Sequence, residues 1–390
     1  MKTAIVIGGG IAGCSTAFAL SQRGIAVTLI ERHEKLAQEA SGNTIAVLYP
    51  KFSSRPNVLS LLALQGFEFT LNLLSHLPDN DNYFNACGLI QLAYNTREQA
   101  RQLALSENKY MRLIDAKAAT EVAGIPLASG GLYFLQAGWV RPVALCEALC
   151  GHALITKMMS TEALTIEKTA MQWLVNHTLA ADIVVICNAN DIQQFTQFKS
   201  AKITPVRGQI NFFTSNSISR NIKSIICSDH FVSPAVAGAH AIGTTYQAND
   251  FNPNISEADT DKNLIALRKI SPKIYDKIDL SSVQGRVAWR SATLDYMPLA
   301  GQLLDESTLR ENPPRYNANP ADLPWLEGLY VNAGHGSKGM ITAPLCGELI
   351  ACLASNSALA LDAKLASKLN PSRFLLRELG LKQLANSIFD

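Results

Sequence analysis

The chain has 390 residues, which predicts about two domains, and a hydrophobic fraction of 48% is ample for a large core. A formal net charge of +2 excludes a strong overall attraction to nucleic acid, so any such contact must come from local basic patches. Cys146 and Cys150 lie one helical turn apart, but no His or Cys pair completes a zinc set, so no metal is predicted.

The first predicted unit is a strand, a glycine turn, a helix and a second strand. An apolar run over residues 4–7 ends in the turn GGGIAG, a helix of small residues follows over 11–23, and a second apolar run over 26–30 ends in Glu31. Such a unit binds the pyrophosphate of a dinucleotide at the helix N-terminus, and the acid binds a ribose hydroxyl. The alternative is a tight turn in an ordinary α/β sheet, which does not explain Glu31. The predicted cofactor contacts here are Gly8, Gly10, Ile11, Ala12, Gly13, Glu31 and Arg32.

The next segments alternate between helices and strands. A polar turn formed by Ala40, Ser41, Gly42 and Asn43 can contact the cofactor's phosphates or ribityl chain, or it can cap a helix. Apolar spacing then predicts helices over residues 56–78, 97–123 and 142–154, and strands over 88–94 and 130–135.

The second half of the chain contains a buried strand, an antiparallel region and a basic helix. Residues 182–187 read as a parallel strand, whose carboxyl end carries the predicted cofactor contacts Asn188 and Ala189. Alternation over 204–250 predicts an antiparallel sheet, and a basic helix is predicted over 257–277. The proline-rich segment 305–324 is predicted to be a surface loop.

A second glycine turn follows the last predicted strand, at residues 328–332, and leads into a helix from about Met340. A strand that feeds a glycine turn and then a helix aims backbone N–H groups and a positive helix end at one point, where a reduced flavin would carry negative charge. The alternative is a turn that only reverses the chain direction. The predicted cofactor contacts are Gly334, His335, Gly336, Ser337, Lys338, Gly339 and Met340.

Two side chains are candidates for direct contact with a substrate. Arg290 follows Trp289 at the end of a predicted strand, where it can clamp a carboxylate with two hydrogen bonds or form a salt bridge with Asp295. His335 is a weak candidate for a general base, since a histidine in such a turn is as often packed or hydrogen-bonded as catalytic.

Several motifs together resemble the glycine/D-amino-acid oxidase superfamily of FAD enzymes. Within it, the chain looks most like the FAD-dependent half of the bacterial bifunctional enzymes of tRNA 5-methylaminomethyl-2-thiouridine biosynthesis. The resemblance runs over nearly the whole chain. Its motifs are GGGIAG with Glu31-Arg32, ASGN with YPK (40–51), GWVRP (138–142), RGQ (207–209), R-x-x-T-x-D-x-x-P-x-x-G (290–301), GHGSKGMITAPLCGELIA (334–351) and the terminal L-N-P-x-R.

The resemblance implies the fold and the domain division. The expected fold class is α/β (α+β overall), with a Rossmann-like FAD-binding domain and an inserted antiparallel-sheet substrate domain. The expected FAD-binding domain is discontinuous over residues 1–55, 138–204 and 325–390, and the substrate domain covers 56–137 and 205–324.

The resemblance also implies a reaction. FAD oxidises the glycine moiety of 5-carboxymethylaminomethyluridine at the tRNA wobble position, so that glyoxylate leaves and an aminomethyl group stays on the base. Arg290 is expected to hold the substrate carboxylate. Related oxidases can tether FAD through a cysteine before Trp289, but Ala288 stands there, so non-covalent FAD is expected. The alternatives are an oxidase of free glycine, sarcosine or another small amine, and a non-catalytic tRNA- or partner-binding flavoprotein.

The implied partners are tRNA and a methyltransferase, domain or separate protein, that acts on the aminomethyl product. Two basic patches can hold the tRNA or can be ordinary solvated surface. They comprise Arg268, Lys269, Lys273 and Lys277, and near the C-terminus Lys364, Lys368, Arg373, Arg377 and Lys382. No signal peptide and no uninterrupted apolar stretch of membrane length is visible, so a cytoplasmic protein without a membrane span is expected.

Overall fold

A computed structural model describes residues 1–53, 55 and 57–389. Pro56, at which the predicted helix and the predicted substrate domain begin, lies outside the described residues, as does Asp390 at the predicted end of the FAD-binding domain.

The described residues form a mixed α/β structure, as predicted. The helices are α1 (Ile11–Ser21), α2 (Val58–His76), α3 (Thr96–Leu103), α4 (Ala116–Ala123), α5 (Pro142–Leu149), α6 (Glu257–Ile270), α7 (Pro272–Tyr275), α8 (Glu306–Glu311), α9 (Gly339–Ala354), α10 (Ala363–Leu369) and α11 (Arg373–Glu378). The strands are β1 (Thr3–Ile7), β2 (Ala26–Ile30), β3 (Ala46–Leu48), β4 (Phe84–Asn85), β5 (Leu89–Leu92), β6 (Met111–Ile114), β7 (Gly131–Phe134), β8 (Gly138–Val140), β9 (Ile155–Met158), β10 (Ile166–Lys168), β11 (Trp173–Val175), β12 (Leu179–Ala181), β13 (Ile183–Ile186), β14 (Ile203–Thr214), β15 (Ile225–Cys227), β16 (Phe231–Val232), β17 (Ala239–Gly243), β18 (Gln247–Ala248), β19 (Gln284–Thr293), β20 (Leu299–Leu304) and β21 (Trp325–Ala333).

A six-stranded sheet in the order β20-β21-β13-β1-β2-β9 carries the glycine turns. All of its neighbours are parallel except β20 and β21. Both faces are covered, because alternate residues of β1 enter different cores: Val6 packs beneath the helices with Leu29, whereas Ile7 packs on the opposite side with Trp173. Burial on both faces explains why these strands are continuous apolar runs.

A larger mixed sheet contains the region predicted to be antiparallel. Its order is β18-β14-β17-β16-β15-β5-β7-β6, and β19 pairs with β14 over ten residues, from Ile203↔Thr293 to Phe212↔Gln284. One departure from the prediction is that β15 and β5 run parallel. Helices α4 and α6 cover this sheet, with Ala119 and Leu267 in the same core as Ile90.

The predicted domain division stays a prediction, but one strand argues for a different boundary. Residues 299–304 were assigned to the substrate domain from the sequence. The structure instead pairs this strand, β20, with β21 at the edge of the six-stranded sheet, with Leu299 opposite Ala333.

Four predicted elements differ from the observed ones for local reasons. The segment 97–123 contains β6 between its two helices, because Met111 is buried opposite Phe134 of β7. The basic helix breaks at Ser271, since Pro272 restricts the residue before it and starts the short α7. Helix α8 lies within the predicted loop, where the Asp305 side chain accepts from the N–H groups of Ser307 and Thr308. Helix α5 ends at Leu149, earlier than predicted.

Helix α2 packs across the start of α9. A Cβ at Gly66 would lie 2.5 Å from the Ile341 carbonyl oxygen, and the Thr70 hydroxyl donates to the Met340 carbonyl at 3.1 Å. Among the described residues this helix is long and apolar enough to cross a membrane, which is weak evidence because the core helix of a soluble protein meets the same two criteria.

Candidate active site

The carboxyl ends of four neighbouring parallel strands meet at one edge of the six-stranded sheet. In the register, Ile7 at the end of β1 lies opposite Ile30 of β2 and Ile186 of β13, so Gly8, Glu31 and the segment after β13 begin at the same level. A cavity of about 690 Å³ opens at this edge and continues to the face of the mixed sheet. This is the location where open α/β sheets bind ligands.

The cavity collects most of the residues predicted to contact a cofactor or substrate. Its lining includes Gly8, Gly10, Ile11, Ala12, Glu31, Arg32, Ala40, Ser41, Asn43, Asn188, Ala189, Arg290, Gly334, His335, Gly336, Ser337, Gly339 and Met340. Of the predicted set, Gly13, Gly42 and Lys338 do not line it. The same cavity also takes in residues that were not predicted, and these include Tyr49, Lys51, Asp229, His230, Thr244, Thr245 and Tyr246.

The first glycine turn leaves no room for side chains at two positions. Gly8 has a φ of +107°, and a Cβ there would lie 2.7 Å from the Cys187 carbonyl oxygen. A Cβ at Gly13 would lie 1.8 Å from the Gly8 carbonyl oxygen, so α1 can sit close to the turn only with glycine. Gly13 therefore shapes the turn without touching the cavity.

Glu31 already accepts two backbone hydrogen bonds. Its Oε2 accepts from the Gly9 N–H at 2.6 Å and its Oε1 from the His33 N–H at 2.9 Å. The carboxylate thus fixes the glycine turn against the end of β2 while it lines the cavity. Each oxygen keeps a second lone pair, so the predicted contact with a ribose hydroxyl remains open to it.

The polar turn 40–43 caps the N-terminus of α1. The Ser41 Oγ accepts from the Ile11 N–H at 3.0 Å, and Gly10 at the helix N-cap has no side chain to do this. The sequence analysis gave a helix cap as the alternative role of this turn. The turn does cap a helix, but the helix is α1, which lies 30 residues earlier in the sequence. A direct contact between the turn and the cofactor stays a prediction.

Arg286 on β19 holds this turn and was not predicted from the sequence. Its Nη1 donates to Asn43 Oδ1 at 2.8 Å, and its Nη2 donates to the carbonyls of Gln38 at 2.9 Å and Glu39 at 2.5 Å. Gly42 leaves space for it, because a Cβ there would lie 2.5 Å from Arg286 Nη2. The only sequence signal was an arginine four residues before Arg290, on the same face of a strand.

Unpartnered polar atoms in the cavity wall show that the site fits a polar ligand such as FAD. Within the described part of the chain, both amide atoms of Asn188 are buried without a hydrogen-bond partner, as is the Ser291 Oγ. Both residues line the cavity. Buried polar groups are normally hydrogen-bonded, so these atoms are expected to meet a bound group.

The second glycine turn brings another helix N-terminus to the same cavity. Gly334 and Gly336 have φ values of +74° and +55°, and α9 starts at Gly339 without a side-chain cap. A Cβ at Gly339 would lie 3.4 Å from Ile11 Cγ2, so the N-termini of α9 and α1 approach each other. Two positive helix ends therefore face one cavity, as the sequence predicted.

His335 has no ring nitrogen free to act as a general base, which corrects that candidate role. Its Nε2 lies 2.9 Å from Asn332 Oδ1 and its Nδ1 lies 2.8 Å from Thr342 Oγ1. Burial lowers the pKa of the ring to about 3. A neutral, doubly hydrogen-bonded imidazole holds the turn against β21 and α9.

Arg290 faces the cavity without an acidic partner. Its Nη2 donates to Thr244 Oγ1 at 2.8 Å and its Nη1 donates to the Thr245 carbonyl at 3.3 Å. No ion pair joins it to a carboxylate among the residues that the structure describes. A Cβ at Gly208 would lie 2.4 Å from Arg290 Nη1, so the guanidinium crosses β14 where only glycine leaves room.

The predicted alternative for Arg290, a salt bridge with Asp295, is wrong. Asp295 instead pairs with Arg373 at 2.8 Å and Arg377 at 3.1 Å. Arg290 also lies inside β19 rather than at its end, because the strand continues to Thr293. Burial lowers the pKa of Arg290, although a guanidinium remains charged in proteins.

Cavity thiols are poor nucleophiles. Burial raises the pKa of Cys187 to about 12 and that of Cys227 to about 12. The thiolate is the reactive form of cysteine, so neither residue is suited to form a covalent bond with a flavin. The expectation of non-covalent FAD stays a prediction that this chemistry favours.

The two basic patches differ in their relation to the cavity. On the first, Lys269 pairs at 3.4 Å with Asp229, which lines the cavity. On the second, Arg373 is fully buried in its pair with Asp295, so its predicted contact with tRNA is wrong. Arg377 forms an ion pair with the same aspartate, and Lys368 donates a hydrogen bond to the Asn386 side chain. None of the predicted tRNA-binding residues lines the cavity.

Comparisons with known proteins agree with this geometry. The profile of a family described as FAD dependent oxidoreductase matches residues 3–353. The chain is 40% identical over 394 residues to the tRNA 5-methylaminomethyl-2-thiouridine biosynthesis bifunctional protein MnmC of Methylobacillus flagellatus, covering 99% of this chain and 61% of that protein. It is 40% identical to the protein of the same name from Pseudomonas syringae pv. syringae, covering 97% of this chain and 59% of that protein. The chain thus spans about three fifths of the length of these relatives.

Solved structures share the fold. Glycine oxidase from Geobacillus kaustophilus superimposes with a TM-score of 0.78 at 21% identity, covering 96% of this chain and 99% of that one. L-proline dehydrogenase from P. horikoshii superimposes with a TM-score of 0.74 at 18% identity, covering 97% and 98%. At these identities the likeness shows the fold alone, and it confirms the predicted glycine-oxidase type.

Proposed function

Because the chain belongs to the family of FAD-dependent oxidoreductases, we propose that it removes the carboxymethyl group of 5-carboxymethylaminomethyluridine, or its 2-thio form, at the tRNA wobble position. The products are glyoxylate and the 5-aminomethyl base. The relatives named for tRNA 5-methylaminomethyl-2-thiouridine biosynthesis support this substrate, since the identity extends over nearly the whole of this chain.

The observation that carries the proposal is the unpaired cation of Arg290. A half-buried guanidinium without an acidic partner is costly, and a bound carboxylate offsets that cost. Thr244 and Thr245 use two of its five N–H donors, which leaves donors for a carboxylate in the cavity. The glycine moiety of the proposed substrate provides that carboxylate.

The residues of this chain bind and orient the substrate and cofactor. FAD, when bound, supplies the hydride acceptor for the methylene carbon between the carboxylate and the amine nitrogen. The N-termini of α1 and α9 would stabilise negative charge on the pyrophosphate and on the flavin ring of a bound FAD. Asn188 and Ser291 are positioned to satisfy polar atoms that reach the cavity wall.

The amine must be neutral to release a hydride, so no strong base is needed at the reacting carbon. The absence of a free ring nitrogen on His335 agrees with this requirement. The oxidised substrate then contains a C=N bond, and water adds to its former methylene carbon. Cleavage of the carbon–nitrogen bond releases glyoxylate and leaves the nitrogen on the base.

The test is mass analysis of wobble nucleosides from carboxymethylaminomethyl-containing tRNA after incubation with the flavin-loaded protein. The proposal expects conversion to the aminomethyl form together with one glyoxylate per base. If the tRNA is unchanged while free glycine or sarcosine is oxidised, the protein is a small-amine oxidase instead. If no donor bleaches the flavin under anaerobic conditions, it is a binding flavoprotein without turnover.

We also propose that a methyltransferase, fused or separate, acts on the aminomethyl product. The word bifunctional in the relatives' names and the two fifths of their length outside this match support a second activity. A cytoplasmic location, where tRNA is modified, remains part of the same proposal.

A further inference from the structure

The wall of the cavity beside Arg290 carries an aromatic ring that the reaction described above does not use. Tyr246 lines the cavity, yet 56% of its surface remains exposed. Its ring centroid lies 5.9 Å from Arg290 Cζ. The exposed side chain is therefore next to the carboxylate position and open to the space in front of it.

The backbone that presents this ring is fixed by the same contacts that hold Arg290. Thr244 and Thr245, the two residues before it, accept the hydrogen bonds of the guanidinium. The Thr245 Oγ1 also accepts from the Gln209 N–H at 2.9 Å, and Trp289 Nε1 donates to the Asp250 carbonyl at 2.7 Å on the other side of the loop. The ring thus has a defined distance from the carboxylate site.

We propose that Tyr246 forms the subsite for the pyrimidine base, by stacking on the uracil ring of the substrate. The inference rests on the proposed function and adds to it the group that distinguishes a modified nucleoside from a free amino acid. A substrate that ended at its amine would leave the exposed face of Tyr246 in water.

The dimensions of the substrate match this arrangement. The carboxylate carbon and uracil C5 are separated by four bonds, or about 5 Å when extended. A carboxylate carbon held by two hydrogen bonds lies about 4 Å from the guanidinium carbon. Uracil C5 therefore lies about 9 Å from Arg290 Cζ when the substrate extends straight out from the guanidinium, and the Tyr246 ring centroid lies 5.9 Å from the same carbon. The difference of about 3 Å is the smallest separation of the two groups and it grows as their directions diverge, so the spacing of about 4.5–7 Å between stacked ring centroids can be reached.

The test compares two ligands that differ only in the nucleoside and that cannot be oxidised to an imine, because neither contains the amine. One is uridine with a carboxymethoxymethyl group at C5, in which an ether oxygen replaces the amine, and the other is methoxyacetate. Titration calorimetry on the flavin-loaded protein gives the ratio of their dissociation constants. We expect the nucleoside to bind more tightly, so that the dissociation constant of methoxyacetate divided by that of the nucleoside is well above one. Tyr246→Ala should reduce this ratio by about 5- to 100-fold, because it removes one base–aromatic stack.

Two control variants separate the ring from other effects. Tyr246→Phe keeps the stacking face and should keep the ratio, and Tyr316→Ala removes a tyrosine that is 70% exposed and does not line the cavity. Equal affinities for the two ligands, or an unchanged ratio in Tyr246→Ala, would overturn the subsite. These measurements report binding and do not depend on conversion of tRNA. If the ratio responds to Tyr246→Ala as expected but the tRNA is not converted, the subsite is supported and the proposed reaction is contradicted.

Discussion

Single residues in this cavity differ in whether their polar atoms already have partners within the protein. Arg290 has no acidic partner among the described residues, and Asn188 has no hydrogen-bond partner for either amide atom. His335 is the opposite, since both of its ring nitrogens are already occupied. The first two are therefore prepared to meet ligand groups, whereas the histidine stabilises the turn itself.

Replacement of Arg290 with lysine tests the carboxylate site. Arg290→Lys keeps the charge but loses the paired N–H groups, so substrate affinity should fall by about 1.5–3 kcal/mol, the value of a charged hydrogen bond. The measurement is the dissociation constant of a carboxylate ligand on protein with unchanged flavin content. The exposed Arg315→Lys should behave as the parent does. Equal affinity in the two variants would remove Arg290 from its assigned role.

The buried ring of His335 predicts a dependence of stability on pH. Its pKa is about 3 in the folded protein and about 6.5 when unfolded, so the unfolded chain binds more protons between these values. Stability should consequently fall as the pH drops below about 6.5, by at most about 1.4 kcal/mol per pH unit from this group. In urea unfolding from pH 7 to 4, His335→Gln should show a shallower decline than the parent. Parallel curves would mean that the ring is not held neutral.

At the level of elements, one strand connects the two halves of the site. Strand β19 carries Arg290, which faces the substrate space, and Arg286, which holds the turn 38–43 beside α1. Both arginines cross the cavity wall where a glycine, Gly208 or Gly42, leaves space for the guanidinium. A single strand of the mixed sheet therefore carries the proposed carboxylate ligand Arg290 and the arginine that holds the turn beside α1.

Loss of the Arg286 contacts should weaken flavin binding. A lysine at position 286 lacks the planar guanidinium, so Arg286→Lys cannot donate to Asn43 and to both carbonyls at once. Loss of even one of these charged hydrogen bonds costs about 1.5–3 kcal/mol of interaction free energy. We expect the FAD dissociation constant to rise about tenfold, measured by flavin fluorescence during dilution. Arg315→Lys is again the control. An unchanged constant would show that the turn keeps its shape without the arginine.

Two glycines with positive φ separate backbone strain from steric exclusion. Gly24, in the turn after α1, has a φ of +72° and nothing within 4 Å of its missing Cβ, whereas a Cβ at Gly8 would lie 2.7 Å from the Cys187 carbonyl oxygen. Gly24→Ala should cost about 1–2 kcal/mol of stability and retain flavin. Gly8→Ala should in addition lose flavin, because the carbonyl must move. The absorbance ratio of flavin to protein gives the result, and flavin retained by both variants would contradict it.

At the level of the whole molecule, the cavity lies between the carboxyl edge of the six-stranded sheet and the face of the mixed sheet. Of the two basic patches, the one on α6 and α7 is linked to this cavity, because Lys269 pairs with Asp229, which lines it. For the proposed tRNA substrate we therefore expect Lys269 and the nearby Lys273, rather than the lysines near the C-terminus, to contact phosphates. The net charge of +2 leaves this contact to local patches.

This difference predicts a change in the salt dependence of tRNA binding. Lys269→Gln with Lys273→Gln should lower the slope of log affinity against log salt by about 1.5, since each phosphate contact contributes about 0.7–0.9. The matched pair Lys364→Gln with Lys382→Gln should leave the slope as it is. A filter-binding titration from low to moderate salt distinguishes them. A flat response in all proteins would leave both patches as ordinary surface.

The sequence by itself determined the fold class, the two glycine turns and the family, because each depends on local rules. A glycine turn between a strand and a helix has few alternative structures, and apolar runs mark buried parallel strands. Most of the cofactor and substrate contacts predicted from the sequence line the cavity, Asn188 and Arg290 among them, although other residues form the larger part of its wall.

Only the tertiary structure decided which side chains are free. Arg290 is close to Asp295 in the sequence and Arg373 is 78 residues away, yet Asp295 pairs with Arg373, and no local pattern encodes that choice. For the same reason the clamp of Arg286 on a turn some 240 residues earlier, and the exposed ring of Tyr246 beside Arg290, were invisible in the sequence. Contacts between distant segments are fixed by packing of the whole chain, and these contacts pair Arg373 and Arg286 within the protein while Arg290 keeps donors facing the cavity.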